Sequence, residues 1–333
     1  MSLKKVSIVL CTYNGADYIT KQLDSIINQT YPISEIIIQD DCSTDNTISI
    51  LEEYEKKYDY IHLYKNEKQK GVNENFFSAM LRANSEYIAI SDQDDIWELD
   101  KIENQFNTIG EKWLSFGFSN FFSNNNDSTY YDKRIPNTKA ERMIYISGAG
   151  GHTFLLKKEM LSYIPHSIPI IYDQVIMIVA ASNNMISFVD KVLVNHREHT
   201  MSVTYTPPAM KRGGNSKSLS NIIKSAIRTF VLYVELKNTI RNRFVDIYKL
   251  LNHLPNWEAK DMALKIAKSQ SEKGIWAYFK LTYYCIHSRR YLFYSEEKNN
   301  LLTFLRALYF PISCSDYFRY LSKSYNKFQK KTS

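Results

Sequence analysis

Short apolar runs alternate with helical stretches along the first half of the chain. Val6-Ser7-Ile8-Val9-Leu10-Cys11 is apolar and β-branched and stops at Thr12-Tyr13-Asn14-Gly15, as a buried strand ended by a turn would. Tyr18, Leu23, Ile26 and Ile27 then share one helical face, and Tyr31-Pro32 closes that helix. The cycle repeats. Residues 35–39 read as a strand and Asp40-Asp41-Cys42-Ser43-Thr44-Asp45 as a polar loop. Residues 46–57 then read as a helix capped by Ser43, Thr44 or Asp45. Residues 61–64 and 87–90 are further strands around a helix at 73–83. Tyr172-Asp173-Gln174 opens an apolar helix at 175–181, and 191–195 is a last strand. Strands alternating with helices predict an α/β fold with a mostly parallel sheet covered on both faces. Ligands bind such sheets beyond the carboxyl ends of the strands, where this sequence carries its polar clusters.

The pattern changes after Thr206-Pro207-Pro208 and the basic, glycine-containing stretch at 211–216, which reads as a linker. Leu219, Ile222, Ile223, Ala226, Ile227, Phe230, Val231 and Val234 recur at helical spacing, so a long amphipathic helix is predicted over 219–254. Further helices are predicted near 258–270, 273–288, 297–309 and 315–329. Two regions follow, 1–210 and 211–333, and charge sharpens the division: the first is net −8 and the second net +15. The second also holds 21 of the 46 aromatic residues. Trp276-Ala277-Tyr278-Phe279-Lys280 and Tyr317-Phe318-Arg319-Tyr320-Leu321 mix rings with cations. That mixture suits either a helical bundle with a basic exterior or attachment to an anionic membrane surface. No recognition motif supports nucleic acid as a partner.

With 44% hydrophobic and 23% charged residues among 333, the composition is that of a globular protein. No run of about 18 apolar residues predicts a membrane-spanning helix. The first residues lack the apolar core and small-residue site of a signal sequence. The expected location is cytoplasmic, with peripheral attachment to the inner face of the cell membrane under the second reading of the tail. Cys11, Cys42, Cys285 and Cys314 are widely spaced and form no metal-binding or redox pair, so they are expected to be reduced.

The chemistry concentrates after the strands. A dinucleotide fold would place G-x-G-x-x-G after the first strand, and neither that motif nor a Walker A loop is present. Instead Ser91-Asp92-Gln93-Asp94-Asp95-Ile96-Trp97 sets three carboxylates within four residues at a strand end. Their mutual repulsion would be relieved by a divalent cation, and hard oxygen ligands suit Mn²⁺ or Mg²⁺. Capping of the next helix is the competing role. Asp40-Asp41 sits at another strand end, where a carboxylate accepts from a nucleobase N–H or a ribose hydroxyl. A Mg²⁺-dependent phosphotransferase also uses Asp-x-Asp after a strand, but Asp95-Ile96-Trp97 lacks the hydroxyl-bearing loop it needs. A non-catalytic protein binding lipid or nucleic acid is the third reading.

Taken together, VSIVLCTYNG, EIIIQDDCSTDNT, KNEKQKGVNENF, ISDQDDIWELDKI, SGAGGHTFLL, YDQV and NHREH resemble the inverting family 2 glycosyltransferases of the GT-A fold over residues 5–203. The resemblance implies a nucleotide pocket lined by Thr12, Tyr13 and Asn14, with Asp41 on the base and Lys70 on the base or diphosphate. It places Asp92 at ribose and metal, Asp94 on the ion bridging the diphosphate, and Gly150 and Gly151 beside the donor sugar. Asp173 falls at the family's acidic general-base position. Arg197 neutralises phosphate charge, and His199 ligates the metal or contacts the diphosphate; Asn195-His196 stands where an aromatic residue often precedes that arginine. The implied donor is a UDP- or dTDP-sugar and the acceptor a cell-surface or lipid-linked saccharide. The Asp-Gln-Asp-Asp-Ile-Trp and Tyr-Asp-Gln forms most resemble the bacterial rhamnosyltransferase-like branch, making dTDP-rhamnose the first donor to test.

Overall fold

The computed structural model describes residues 3–123, 133–165, 168–198, 219–293 and 299–321. β1 (Val6–Thr12) lies at the centre of one half of the sheet, parallel to β2 (Glu35–Asp40) on one side and β4 (Tyr87–Ser91) on the other. β3 (Ile61–Lys65) continues the parallel order beyond β2. Every residue of β1, β2 and β4 is buried, which is why these strands read as continuous apolar runs. The helices α1 (Ile19–Ile27), α2 (Thr47–Lys57) and α3 (Val72–Arg82) connect them, each within two residues of its predicted bounds except at the carboxyl end of α1.

The second half of the eight-stranded sheet, ordered β3-β2-β1-β4-β7-β6-β8-β5, is mixed. After the two-residue β5 (Ile96–Trp97) and α4 (Lys101–Ile109) comes β6 (Leu114–Ser123), a strand the apolar pattern did not predict. Its alternation of rings with Ser, Gly and Asn lacks a continuous apolar run. β7 (Leu155–Lys157) runs antiparallel to both β4 and β6 and joins the halves. The last strand, β8 (Ile186–Glu198), extends well past the predicted 191–195 because it pairs in parallel along all of β6 and antiparallel with β5. The register between β6 and β8 shifts around Phe118.

Alternate residues of β1 enter two different cores. Val6, Ile8 and Leu10 pack with Ile19, Leu23 and Ile26 of α1 and Ile102 of α4. Val9 and Cys11 face Phe76 and Met80 of α3 and the buried α6 (Tyr172–Ser182). Between them lie the one-turn α5 (Ala140–Met143) and a 3₁₀ turn at Gly151–Thr153.

The second core also contains the carboxyl-terminal helices α7 (Leu219–His253), α8 (Asp261–Ser271), α9 (Ile275–His287) and α10 (Asn300–Ser313). Leu236, Ile240, Phe244, Ile247, Leu250 and Leu251 of α7 are buried with Val175–Ala181 of α6. Each such side chain contributes roughly 1.5–3 kcal/mol. The predicted stripe of α7 is helical, but its members Ile227, Phe230, Val231 and Val234 are exposed. The core-facing stripe is the one that follows it. Among the described residues no helix is long and apolar enough to cross a membrane, and Cys11, Cys42, Cys285 and Cys314 are free thiols. The expected linker at 206–216 and the end of the last predicted helix lie outside the described residues.

Candidate functional site

The loops after β1, β2 and β4 are tied into one surface because their strands are neighbours. Gln93 accepts from the Tyr13 N–H at 2.9 Å and donates to the Tyr13 carbonyl at 3.0 Å, so the loops after β1 and β4 are clasped by one amide. A Cβ on Gly15 would collide with that amide. Asn14 takes a left-handed φ of 48°, a conformation asparagine tolerates, and its Oδ1 accepts from the Thr44 N–H at 2.8 Å. Thr12 donates to Asp40, whose carboxylate also accepts from the N–H and hydroxyl of Ser43. Asp45 accepts from the Thr47 N–H just before α2, whose N-cap residue is Asn46, without a side-chain capping bond, rather than one of the predicted Ser43, Thr44 or Asp45.

Asp41 is buried and heavily engaged. Its carboxylate accepts from the backbone N–H groups of Lys70 and Gly71 at 2.7 and 2.8 Å and from Asn66 Nδ2 at 2.8 Å. Those bonds fix the 66–71 loop beside the loop after β2.

The acidic loop after β4 stands over two stacked histidines. Asp95, 1% exposed, accepts at Oδ1 from His196 Nδ1 at 2.8 Å and from the Arg197 N–H at 3.1 Å, while its Oδ2 is buried without a hydrogen-bond partner. The His152 ring lies 4.5 Å from that of His196, nearly coplanar in orientation. Burial pushes the His196 pKa down, but Asp95, with Asp92 and Asp94, outweighs it and holds the imidazolium up to about 9. Burial dominates at His152, whose pKa falls to about 4 with the neighbouring His196 charge adding to the fall. One ring is therefore charged and its partner neutral at pH 7. Burial also raises Asp92, against the pull of His196. Arg197 donates through Nε to the Asp94 carbonyl at 3.0 Å and sits over the Tyr18 and Phe122 rings, bracing the acidic loop from below.

The glycine loop and α6 close the other side. Gly150 accepts from Thr153, and a Cβ on Gly151 would collide with Tyr172 Oη, so this turn passes α6 at a distance only glycine permits. Lys101, buried and held toward the neutral amine by desolvation, donates to Gln105 at 2.9 Å. Gln105 in turn donates to the carbonyls of Thr153 and Ser115. The start of α6 is set by Asn73 of α3, which accepts from the Tyr172 N–H at 2.9 Å and donates to the Ile170 carbonyl. Asp173 therefore faces the Gly151 N–H and the acidic loop. Burial raises its pKa to about 6; hydrogen bonds from the backbone of Gln174 and Gly151 oppose this, Asp92 adds to it, and Arg243 of α7 lowers it. A carboxylate with that pKa is ionised at pH 7 yet basic enough to take a proton.

Residues 7–167 match the model of glycosyl transferase family 2. The chain belongs to that family. Among its relatives, the dTDP-rhamnosyl transferase RfbG of Shigella flexneri is 37% identical over 164 residues, covering 46% of this chain and 55% of that protein. The UDP-Glc:alpha-D-GlcNAc-diphosphoundecaprenol beta-1,3-glucosyltransferase WfgD of Escherichia coli is 30% identical over 171 residues, covering 51% and 66%. The chain thus spans between about half and two thirds of the length of these relatives. The fold of S. aureus TarS 1-349, solved with UDP, superposes with a TM-score of 0.54 at 17% identity over 97% of this chain and 92% of that one. At that identity the likeness establishes the GT-A architecture.

In this family 2 glycosyltransferase the contacts above bring the loops that carry Thr12, Tyr13, Asn14, Asp92, Asp94, Gly150, Gly151, Asp173 and Arg197 next to one another. Asp41 and the backbone of Lys70 adjoin them through the bonds above, and His199 lies outside the described residues. Four members went unassigned in the sequence. Asp95 and His196 lay inside motifs whose roles had been given to neighbours, and His152 directly follows the glycines. Arg243 has no local signal at all, since only tertiary packing brings α7 to α6.

The donor set fits a small divalent cation. Asp92 is a half-buried carboxylate whose pKa stays raised despite the pull of His196, and Asp95 offers a buried oxygen with no hydrogen-bond partner. Ligand atoms of Asp95, His152 and His196 lie within 4.8 Å of one another. His196 Nδ1 is committed to Asp95, so its part is to hold that carboxylate.

Proposed function

We propose that the chain is an inverting glycosyltransferase that moves a sugar from a UDP- or dTDP-sugar to a hydroxyl of a cell-surface saccharide carried on a lipid. The observation that carries this reading is Asp173. It stands at the start of α6, beside the glycine loop and within electrostatic reach of Asp92, with its pKa at about 6. Inversion is one in-line displacement, so the carboxylate must take the acceptor proton from the face opposite the leaving nucleotide. Asp173 is the assigned base. Thr12, Tyr13, Asn14, Asp41 and Lys70 are assigned to the nucleotide, Gly150, Gly151 and Arg197 to the sugar and diphosphate, and Asp92, Asp94 and His199 to ribose and Mn²⁺ or Mg²⁺. A bound ion would supply Lewis-acid stabilisation of the diphosphate as it leaves.

The naming of RfbG as a dTDP-rhamnosyl transferase, together with the rhamnosyltransferase-like motifs, supports dTDP-rhamnose as the first donor to assay. The diphosphoundecaprenol acceptor of WfgD supports a lipid-linked acceptor. Peripheral attachment to the inner membrane surface would bring the enzyme to it. The support lies on the basic region after residue 210: Trp276 is 77% exposed, Ile275 61% and Phe279 57%, beside Lys273 and Lys280. Leu301, Leu305 and Leu308 form an exposed apolar row on α10. Such a face is costly in water and suits the boundary of an anionic bilayer. We retain 1–210 as the catalytic region and 211–333 as the region that meets the acceptor's membrane. Release of nucleoside diphosphate from a panel of UDP- and dTDP-sugars, with Mn²⁺ or Mg²⁺ and lipid-linked saccharides, tests the activity. No release from any donor would overturn it.

A further inference from the structure

The glycine loop brings to the acidic loop a nitrogen atom that the assignment above does not use. His152 is 6% exposed and its Nε2 lies 2.7 Å from Ser119 Oγ. Its Nδ1 consequently faces two carboxylates, Asp92 Oδ2 at 3.6 Å and Asp95 Oδ2 at 3.9 Å. Neither separation is a hydrogen bond. Neighbouring ligands of one cation stand about 3.0–3.4 Å apart when each bond is about 2.1 Å, so a bound ion would draw His152 Nδ1 and its carboxylate partner closer together. Asp95 is arranged for such a role: His196 and the Arg197 N–H occupy Oδ1, and Oδ2 is left buried without a partner. The space at Nδ1 is kept open by Gly150, where a Cβ would come within 2.8 Å of that atom.

The geometry points to His152 Nδ1, together with Asp95, as a nitrogen-bearing part of the divalent-cation site, one that favours Mn²⁺ or another first-row transition ion over Mg²⁺. This rests on the metal-dependent reading of the site. Mg²⁺ holds to oxygen ligands and gives up water reluctantly, whereas transition ions accept imidazole readily. Each imidazole added to the shell therefore separates the two ions further.

The test uses the full chain with Mn²⁺ alone and with Mn²⁺ plus UDP or dTDP. Pulsed electron paramagnetic resonance should detect a ¹⁴N coupling from directly bound imidazole, and His152→Phe should remove one such nitrogen. Titration should show Mn²⁺ binding weakened at least tenfold in that variant while Mg²⁺ binding changes less than threefold. Gly150→Ala keeps His152 but crowds Nδ1, and should weaken Mn²⁺ in the same direction, which decides the matter should His152→Phe not fold. A parent spectrum without ¹⁴N coupling, a folded His152→Phe with unchanged coupling and affinity, or a Gly150→Ala protein with parental Mn²⁺ affinity would each overturn the inference and leave the metal-dependent reading intact. Failure of the parent to bind either ion, with or without nucleotide, would overturn both.

Discussion

Arg243 on α7 donates through Nη2 to Oε1 of Gln174, the residue that follows Asp173. A side chain from the carboxyl-terminal helices thus reaches the acidic position on α6, and its charge opposes the burial that raises the Asp173 pKa. Replacing Arg243 by Met removes that charge. The midpoint of the pH–rate profile should rise above 6 by about one unit, since loss of an opposite charge disfavours the carboxylate. Leaving Gln174 without its partner should cost about 1–3 kcal/mol of stability, read as a lower Tm. A parental midpoint would show that Arg243 does not act on Asp173.

Asp173→Asn should lower kcat by about 10²–10⁴ with unchanged affinity for nucleoside diphosphate, because the amide keeps the shape but cannot take a proton. In the parent, transfer should fall about tenfold for each pH unit below 6. Stability should move the opposite way. The folded pKa lies above the ordinary value of 3.8, so the stabilisation is complete below pH 3.8 and is lost as pH rises through about 6. Asn escapes that loss, and the variant's Tm relative to the parent should climb between pH 4 and 7. Transfer within threefold of the parent would remove Asp173 from the role.

Asp94→Ala should abolish the metal-dependent part of UDP or dTDP binding, since the assignment makes this carboxylate the one that joins the ion to the diphosphate. Calorimetry with and without Mn²⁺ reads the difference. An affinity that still rises with Mn²⁺ as in the parent would move the assignment to Asp92 and Asp95.

The exposed rings of α9 predict association with anionic vesicles that weakens as salt is raised. Trp276→Ser with Phe279→Ser should reduce partitioning at least tenfold, as each buried ring is worth roughly 1.5–3 kcal/mol. Flotation of the full chain measures it. Equal partitioning of variant and parent would count against a membrane partner for this face.

Strands buried on both faces announce themselves, and so β1, β2 and β4 were legible as apolar runs with polar loops after them, while the half-buried β3 was legible from its short β-branched and aromatic run. β6 was not, because Phe116, Phe118 and the Phe121-Phe122 pair are separated by Gly, Ser and Asn and the strand's order comes from pairing with β8. The site followed the same division. Carboxylates at strand ends could be read from Asp92, Asp94 and Asp41. His152 could not, since its part depends on β7 running antiparallel to β4 and on the stack with His196. For the exposed half of α7, periodicity revealed the helix but gave no information about which stripe meets the core.

The core shared by α6 and α7 bears on how this enzyme could be re-engineered or could diverge. A carboxyl-terminal region standing apart on a linker could be exchanged like a cassette, giving one catalytic body many acceptors. Here Phe244 and Ile247 belong to the same buried core as the helix that carries Asp173, and Arg243 reaches its first turn. Grafting a foreign tail would alter the charge beside Asp173 and the core that α6 shares with α7 in one step. Under the proposed assignment, acceptor choice and proton transfer would change together, and a new acceptor should arise through coordinated substitutions in α6 and α7.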